Sequence, residues 1–178
     1  MKQLILIPLL LLFINSTTME AIPKSDETEN PIASISSKLM AFDSYAESFY
    51  DCLDNKDLNY KLFAKGLKGY YALKNNNKLS NTSYLTIIDF SQPSNKKRCF
   101  IIDMESKTIA FQTVIAHGKN SGQLMANKFS NESESRMSSL GFYTTGLIYN
   151  GKYDYSLKLH GLEYSNNKAF ERGVVIHS

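Results

Sequence analysis

The stretch that separates the strand-like parts of this sequence is AHGKNSGQLMANKFSNESESRMSSLGFYTTG, residues 116–146. It is rich in Ser, Asn and Gly, and apolar runs flank it on both sides. Long connections without secondary structure are uncommon in compact domains, where they are usually functional or disordered. Because this one carries His117 and the compact segment SSLGFYTTG, we interpret it as the framework of a functional site.

Two helical patterns precede the strands. From Ser36 onward, apolar residues recur at three- and four-residue steps, which predicts a first amphipathic helix. We expect Asp57 to be the N-cap of a second helix that ends at the asparagine run 75–77. Gly66 and Gly69 lie inside this helix, where each costs about 1 kcal/mol relative to alanine. They therefore predict a close approach by another element.

Runs of β-branched and aromatic residues then predict six strands. They cover residues 84–90, 98–104, 108–116, 140–148, 155–159 and 172–176. The second and third should form a hairpin around Glu105, and both arms should be central because both are apolar on both faces. Asn150-Gly151 predicts a tight turn, and residues 163–169 a polar loop. Two helices followed by a β-rich body predict an α+β domain.

Composition places the chain among ordinary globular proteins. It has 178 residues, 43% of them hydrophobic, and a net charge of +3. This predicts one domain with a sizeable core and gives no argument for a nucleic-acid partner. The densest basic cluster, Lys96-Lys97-Arg98, is interpreted as a solvated strand entry. The sequence does not indicate an oligomeric state.

The first residues have the pattern of a secretion signal. Lys2 precedes an apolar run, Leu4–Ile14, that is too short for a comfortable membrane span. We expect a signal peptide over 1–21 with cleavage after Ala21, and a polar linker over 22–35. Uncleaved, the run would act as a weak anchor. Cleaved, it leaves a protein without membrane contact, exported to the periplasm or cell envelope.

The two cysteines could pair in an exported protein, but they are far apart in sequence and form no disulfide framework. Cys52 lies in a helical pattern and Cys99 in a strand pattern. We expect both to be unpaired thiols in the core, because buried cysteines behave as small hydrophobic residues. Apolar burial raises a thiol pKa, so Cys99 is not expected to be a nucleophile.

The sequence offers three histidines. His117 ends a strand beside a loop, a common place for site residues, but the pattern favours a structural histidine bonded to backbone. His160 is either functional or a surface residue that orients a loop. His177 ends an apolar run, and such rigid placement suits a general base. Metal-ligand, phosphate-loop and nucleophile-elbow motifs do not occur in the printed sequence, so we predict no metal and no other cofactor.

Six segments together resemble one family. They are TIIDFSQPSNKKR (86–98), VIAHGKNSG (114–122), KFSN (128–131), SSLGFYTTG (138–146), YSLKLHGLE (155–163) and RGVVIHS (172–178). In order and spacing, over 63–177, they are similar to the murein L,D-transpeptidase catalytic-domain family, a YkuD-like group of exported bacterial proteins. The resemblance implies a domain over 36–178, with a helical part at 36–77 and a β-rich part at 84–178.

The resemblance also implies a chemistry. In such transferases a cysteine thiolate attacks an amide of a peptidoglycan stem peptide, and the thioester then passes its acyl group to an amine. A histidine takes the thiol proton, and backbone N–H groups hold the oxyanion. His177 matches the general base. The implied substrate-binding residues are His117, Ser139, Gly141, Tyr143 and Ser178.

One departure from the family is large. The Ser-x-Gly-Cys segment that follows the base is not among the 178 residues, and neither cysteine matches the nucleophile in context. We therefore expect a body that is incomplete at its C-terminal end and that does not carry out transpeptidation. Two alternatives remain open: a non-catalytic peptidoglycan-binding or regulatory remnant, and an exported β-rich module that binds protein.

Overall fold

The computed structural model describes residues 31–55, 57–151 and 154–177. Helices α1 (Pro31–Leu53) and α2 (Tyr60–Asn75) precede two antiparallel three-stranded sheets. Sheet 1 contains β1 (Tyr84–Ile88), β2 (Cys99–Asp103) and β3 (Thr108–Thr113). Sheet 2 contains β4 (Tyr143–Gly151), β5 (Asp154–Gly161) and β6 (Val175–His177). The predicted α+β class is confirmed.

The predicted signal peptide and residues 22–30 of the predicted linker lie outside the described residues. In the described part of the chain, no helix is both long enough and apolar enough to cross a membrane.

Both predicted helix starts were wrong. Helix α1 begins at Pro31, inside the predicted linker, rather than at Ser36. Proline is tolerated in a first turn because the N–H it lacks would have no intrahelical partner there. The N-cap of α2 is Asn59, whose side chain accepts a hydrogen bond from the Leu62 N–H, whereas Asp57 donates its own N–H to Asn55. The predicted end of α2 at Asn75 is confirmed.

The apolar core lies between the two helices and sheet 1. Its buried residues come from α1, α2, β1 and β2 and from Leu58, and the rings of Phe49 and Phe63 meet edge to face at 5.4 Å. Gly66 and Gly69 mark close approaches, as predicted. A β-carbon at Gly66 would lie 3.2 Å from Ile87, and one at Gly69 would overlap the ring of Phe142. Phe142 thus brings the SSLGFYTTG segment against α2.

Sheet 1 has the order β1-β2-β3, so the predicted hairpin around Glu105 is confirmed. The expectation that both arms are central holds only for β2. Strand β3 is an edge strand, and Phe111 on it is 59% exposed. An apolar residue pattern alone does not distinguish these positions, because the number of neighbouring strands is set by the tertiary fold.

Sheet 2 has the order β4-β5-β6. Asn150 pairs with Tyr155 and Gly151 with Asp154, so the predicted turn at Asn150-Gly151 is wrong and both residues belong to β4. The reason is register: β4 begins at Tyr143 rather than Leu140 and continues along β5 for longer than its apolar run indicates. At the other edge, His177 of β6 lies opposite Ser156 of β5.

Candidate functional site

A groove of about 510 Å³ lies where the chain leaves β3 and where β6 ends. Its lining consists of Ser94, residues 114–117, Gly122, Gln123 and His177. The structure therefore brings together His117 and His177, two candidates that lie 60 positions apart in sequence. The beginning of the 116–146 stretch forms part of this groove, as its interpretation as a site framework requires.

A fully buried guanidinium supports the groove from below. Arg98 donates to the Gln92 carbonyl at 2.8 Å and, through Nη2 and Nε, to the Ile115 carbonyl at 2.9 and 3.2 Å. Its Nη2 also lies 2.8 Å from His117 Nδ1. The planar fork of arginine suits such multiple contacts. The interpretation of 96–98 as a solvated strand entry was wrong for Arg98, and an arginine at the start of a strand gives no sequence signal that it is buried.

The positive charge of Arg98 interacts with the negative charge of a second buried residue, Asp89. Asp89 accepts hydrogen bonds from the Ser91 N–H and hydroxyl and from the Gln92 side chain, at 2.6–3.0 Å. Burial lowers the pKa of Arg98 below its ordinary value, and the charge of Asp89 opposes that shift. The face of Phe90 lies 5.0 Å from the guanidinium carbon, a favourable cation–π distance. These contacts fix a positive charge beneath the groove.

The contacts of His117 define its tautomer. Arginine has no acceptor, so His117 Nδ1 must accept from Arg98 and cannot carry a proton. The proton is then on Nε2, which donates to the Gly122 carbonyl at 3.2 Å. Both ring nitrogens are engaged, which favours the structural interpretation of His117 over that of a base. The ring still lines the groove, and its predicted contact with substrate stays a prediction.

His177 occupies a different environment in the same groove. It is exposed, and β6 fixes its backbone by pairing with Ser156. A histidine that reaches the cavity from a strand has the placement that a general base needs. Its role as the base stays a prediction. Ser178, predicted to bind substrate, lies outside the described residues.

The other three predicted substrate-binding residues are not part of the groove lining. Ser139 is buried, and its hydroxyl contacts the Tyr143 hydroxyl at 2.8 Å. Gly141 has φ +131°, and a β-carbon there would overlap the Glu163 carboxylate, which itself accepts from the Phe142 N–H. The structure thus gives these residues contacts that shape the 138–146 segment, and their role toward substrate stays a prediction.

A second guanidinium and a buried hydroxyl hold the 116–146 stretch in place. Arg172 donates to the carbonyls of Ser130 and Met137 at 2.8 and 2.6 Å. The Ser121 hydroxyl accepts from the Ser138 N–H, and the Ser138 hydroxyl accepts from the Gly118 N–H. The stretch is ordered by side chains bonded to backbone until β4 begins. The sequence did not predict these hydrogen bonds of Arg172, Ser121 and Ser138, because their partners are distant in sequence.

Neither cysteine lines the groove. Cys99 is buried in β2, and burial raises the pKa of its thiol, as expected for an inert core cysteine. Cys52 is exposed on α1, so the expectation that it lies in the core was wrong. Both thiols are free, as predicted. Within 31–55, 57–151 and 154–177, no three His, Cys, Asp or Glu side chains are grouped to hold a metal ion.

These features define an α+β domain whose histidine-lined groove lies at the junction of two small antiparallel sheets. The family model described as the L,D-transpeptidase catalytic domain matches residues 54–178, from the end of α1 onward. The chain therefore belongs to the L,D-transpeptidase catalytic-domain family, and the resemblance seen in the sequence is confirmed. Searches among curated proteins and among solved structures found no significant match.

Proposed function

We propose that this protein binds peptidoglycan stem peptides in the groove, with His177 in the position of the family's general base. The observation that carries the proposal is the position of His177 beside the 114–117 segment in one cavity. Membership of the L,D-transpeptidase family supports the substrate class. The geometry of the 114–117 segment supports a peptide as the ligand.

The 114–117 segment has the properties of an open strand edge. Exposure alternates along it, with Val114 and Ala116 exposed and Ile115 half-buried, as in an extended chain. The Ile115 carbonyl faces inward to Arg98, so the backbone groups of Val114 and Ala116 face away from β2. No described residue accepts a hydrogen bond from the N–H groups of 114–117. An extended peptide that added as a strand would pair with these groups.

Acyl transfer needs a thiolate within reach of the bound amide. Cys99 is buried within β2, its raised thiol pKa disfavours the thiolate, and Cys52 lies on α1. We therefore propose that the 178-residue polypeptide binds stem peptides without transferring them. This corresponds to the non-catalytic binding role that the sequence left open.

Export is part of the proposal because peptidoglycan lies outside the cytoplasm. Its support is Lys2 followed by the apolar run Leu4–Ile14. Expression of the full chain in a bacterial host, followed by fractionation and N-terminal sequencing, tests this proposal. We expect the protein in the envelope fraction with a new N-terminus near Ala21, and cytoplasmic protein with an intact N-terminus would contradict it.

Co-sedimentation with purified sacculi tests the function itself. We expect the protein to sediment with the sacculi, a synthetic stem tetrapeptide to release it, and the muropeptide cross-links to remain unchanged. A tetrapeptide methylated on its backbone nitrogens is the matched control, because it cannot donate to a strand edge and should release much less protein. Absence of sedimentation would overturn the binding proposal, and new cross-links would overturn the proposed lack of transfer.

A further inference from the structure

A cluster of polar and aromatic side chains lies on the same face of sheet 2 as His177. The cluster consists of Tyr149, Lys158, His160 and Phe170. Side chains alternate along a strand, so Ser156, Lys158 and His160 share one face of β5, and His177 lies opposite Ser156. Gly146 confirms this arrangement, since a β-carbon there would lie 2.8 Å from His160 Nε2 and 3.4 Å from Lys158 Cβ.

Aromatic rings hold the cluster together. The ammonium of Lys158 lies 4.8 Å from the ring centre of Phe170 and 5.2 Å from that of Tyr149. The His160 ring stacks on Phe170, with centroids 4.5 Å apart and planes within 12°. The exposed Phe170 ring thus contacts both Lys158 and His160, which favours a defined geometry of these two side chains over free rotation.

Among the residues that the structure describes, the cluster has no anionic partner of its own. Among the described residues, no carboxylate lies within 4 Å of the Lys158 ammonium, and the ion pair of the described chain joins Lys168 to Glu132. No described residue hydrogen-bonds to the ring nitrogens of His160. An ammonium placed over rings keeps unpaired N–H donors, and a carboxylate is a strong acceptor for them.

We infer that Lys158 and its aromatic neighbours form a carboxylate-binding subsite for the part of the stem peptide that extends beyond the groove. This inference rests on the proposed function. Each residue advances a strand by about 3.4 Å. Lys158 therefore lies about 7 Å along β5 from Ser156, the residue that faces His177. An extended peptide that passes His177 and continues along β5 toward Lys158 would bring a carboxylate two residues further on within reach of the Lys158 ammonium.

The test measures binding of two synthetic stem tetrapeptides to the full chain by calorimetry. One peptide carries free side-chain and α-carboxylates, and the other has them amidated. We expect Lys158→Met to weaken binding of the free acid about tenfold, as loss of a charge-assisted hydrogen bond does, and to leave the amidated peptide unaffected. Phe170→Leu, which removes the supporting ring, should act in the same direction.

Lys107→Met is the matched control. The Lys107 ammonium also lies over two rings, 5.3 Å from Tyr45 and 5.5 Å from Phe49, but on the helical side of the molecule. It should change neither affinity, and the unfolding midpoints of the Lys158 and Lys107 variants should agree with that of the wild type.

Three outcomes would overturn the inference in different ways. If the wild type binds both peptides equally and Lys158→Met changes neither affinity, the subsite is wrong while the proposed function stands. If the wild type binds neither peptide, the proposed function and the subsite both fail. Lys158-dependent binding to vesicles of anionic phospholipid, with no peptide binding, would assign the cluster to a membrane surface instead.

Discussion

The two halves of this molecule are stabilised by different interactions. The buried apolar cluster draws all its members from the region before Asp103, in α1, α2, β1, β2 and the α1–α2 connection. Among the described residues after β3, every buried position is polar or small: Ser121, Ala126, Ser139, Ser156, Asn166 and Ala169. Several large apolar side chains there lie on the surface, and Leu147 is 83% exposed.

The first half therefore mainly provides folding stability, and the second half mainly shapes the groove. Helix and sheet packing in the first half buries apolar surface, which is the dominant favourable contribution to folding. In the second half, Arg172 and Asn166 bond to backbone carbonyls and define the path of the chain around the groove, as Arg98 does from the start of β2. Substitutions in the apolar cluster should therefore mainly change stability, whereas those of the arginines bonded to backbone carbonyls should also change the shape of the groove.

The largest stability effect is expected at the centre of the apolar cluster. Phe63 is fully buried and packs against Phe49 and Tyr50. Phe63→Ala should lower the free energy of unfolding by about 3–5 kcal/mol, because it removes buried surface and leaves a cavity. Chemical denaturation measures this change. Leu39→Ala at an exposed α1 position is the control, and an equal loss in both variants would contradict the assignment of the core.

Arg98→Met should combine a stability loss with a loss of the groove. The Ile115 and Gln92 carbonyls would lose their donors, and His117 would lose the contact that fixes its tautomer. We expect a loss of about 3 kcal/mol and abolished binding of stem tetrapeptide. Arg172→Met, which leaves the groove lining untouched, should retain partial binding. Full binding by Arg98→Met would show that the groove does not depend on the buried guanidinium.

A smaller effect is expected at Asn166. Its side chain donates to the Phe142 carbonyl at 2.8 Å and accepts from the Glu163 N–H at 2.8 Å. Asn166→Ala should lower stability by about 2 kcal/mol, because the Glu163 N–H loses its acceptor and the Phe142 carbonyl keeps only the Leu162 N–H as a donor. Asn166→Asp keeps the acceptor and loses the donor, so it isolates the bond to Phe142. Thermal unfolding distinguishes the variants, and wild-type stability in both would refute this role.

The smallest effect is a pH dependence from Cys99. Burial raises the pKa of its thiol above that of the unfolded chain, which is about 8.5. Below that pH the Cys99 thiol is protonated in both the folded and the unfolded protein, and its contribution to stability is fully present. As pH rises through and above it, the unfolded thiol ionises first and stability falls. Cys99→Ala should remove this slope, whereas Cys52→Ser at an exposed site should retain it.

Thiol labelling provides an independent check on the cysteines. With a chromogenic disulfide reagent at pH 8, Cys52 should react in the native protein and Cys99 only after denaturation. Rapid reaction of both thiols in native protein would contradict the burial of Cys99.

The sequence predicted the first half of the molecule better than the second. Periodicity identified both helices and the hairpin around Glu105, because each depends on local residue spacing. The errors at Pro31 and Asn59 concern helix ends, where capping rather than periodicity decides. The β3 edge and the extent of β4 depend on which strands become neighbours, and the residue pattern does not contain that information.

His117 and His177 were identified individually as candidates, and the fold brings both to one groove. Their roles in a site stay predictions. Arg98 was missed because a buried arginine is indistinguishable in sequence from a solvated one beside two lysines. Ser139, Gly141 and Tyr143 were assigned to substrate by resemblance, whereas the structure gives their side chains or backbone intramolecular contacts.

Hydrogen exchange with and without a stem tetrapeptide tests the central claim most directly, because the two open edges of sheet 1 differ in their predicted response. Bound peptide should slow exchange at the Val114 and Ala116 amides and shift the imidazole resonances of His177. The Thr86 and Ile88 amides on the β1 edge should be unaffected. Protection on the β1 edge, or none at Val114 and Ala116, would contradict the proposal that the groove binds a peptide as an added strand.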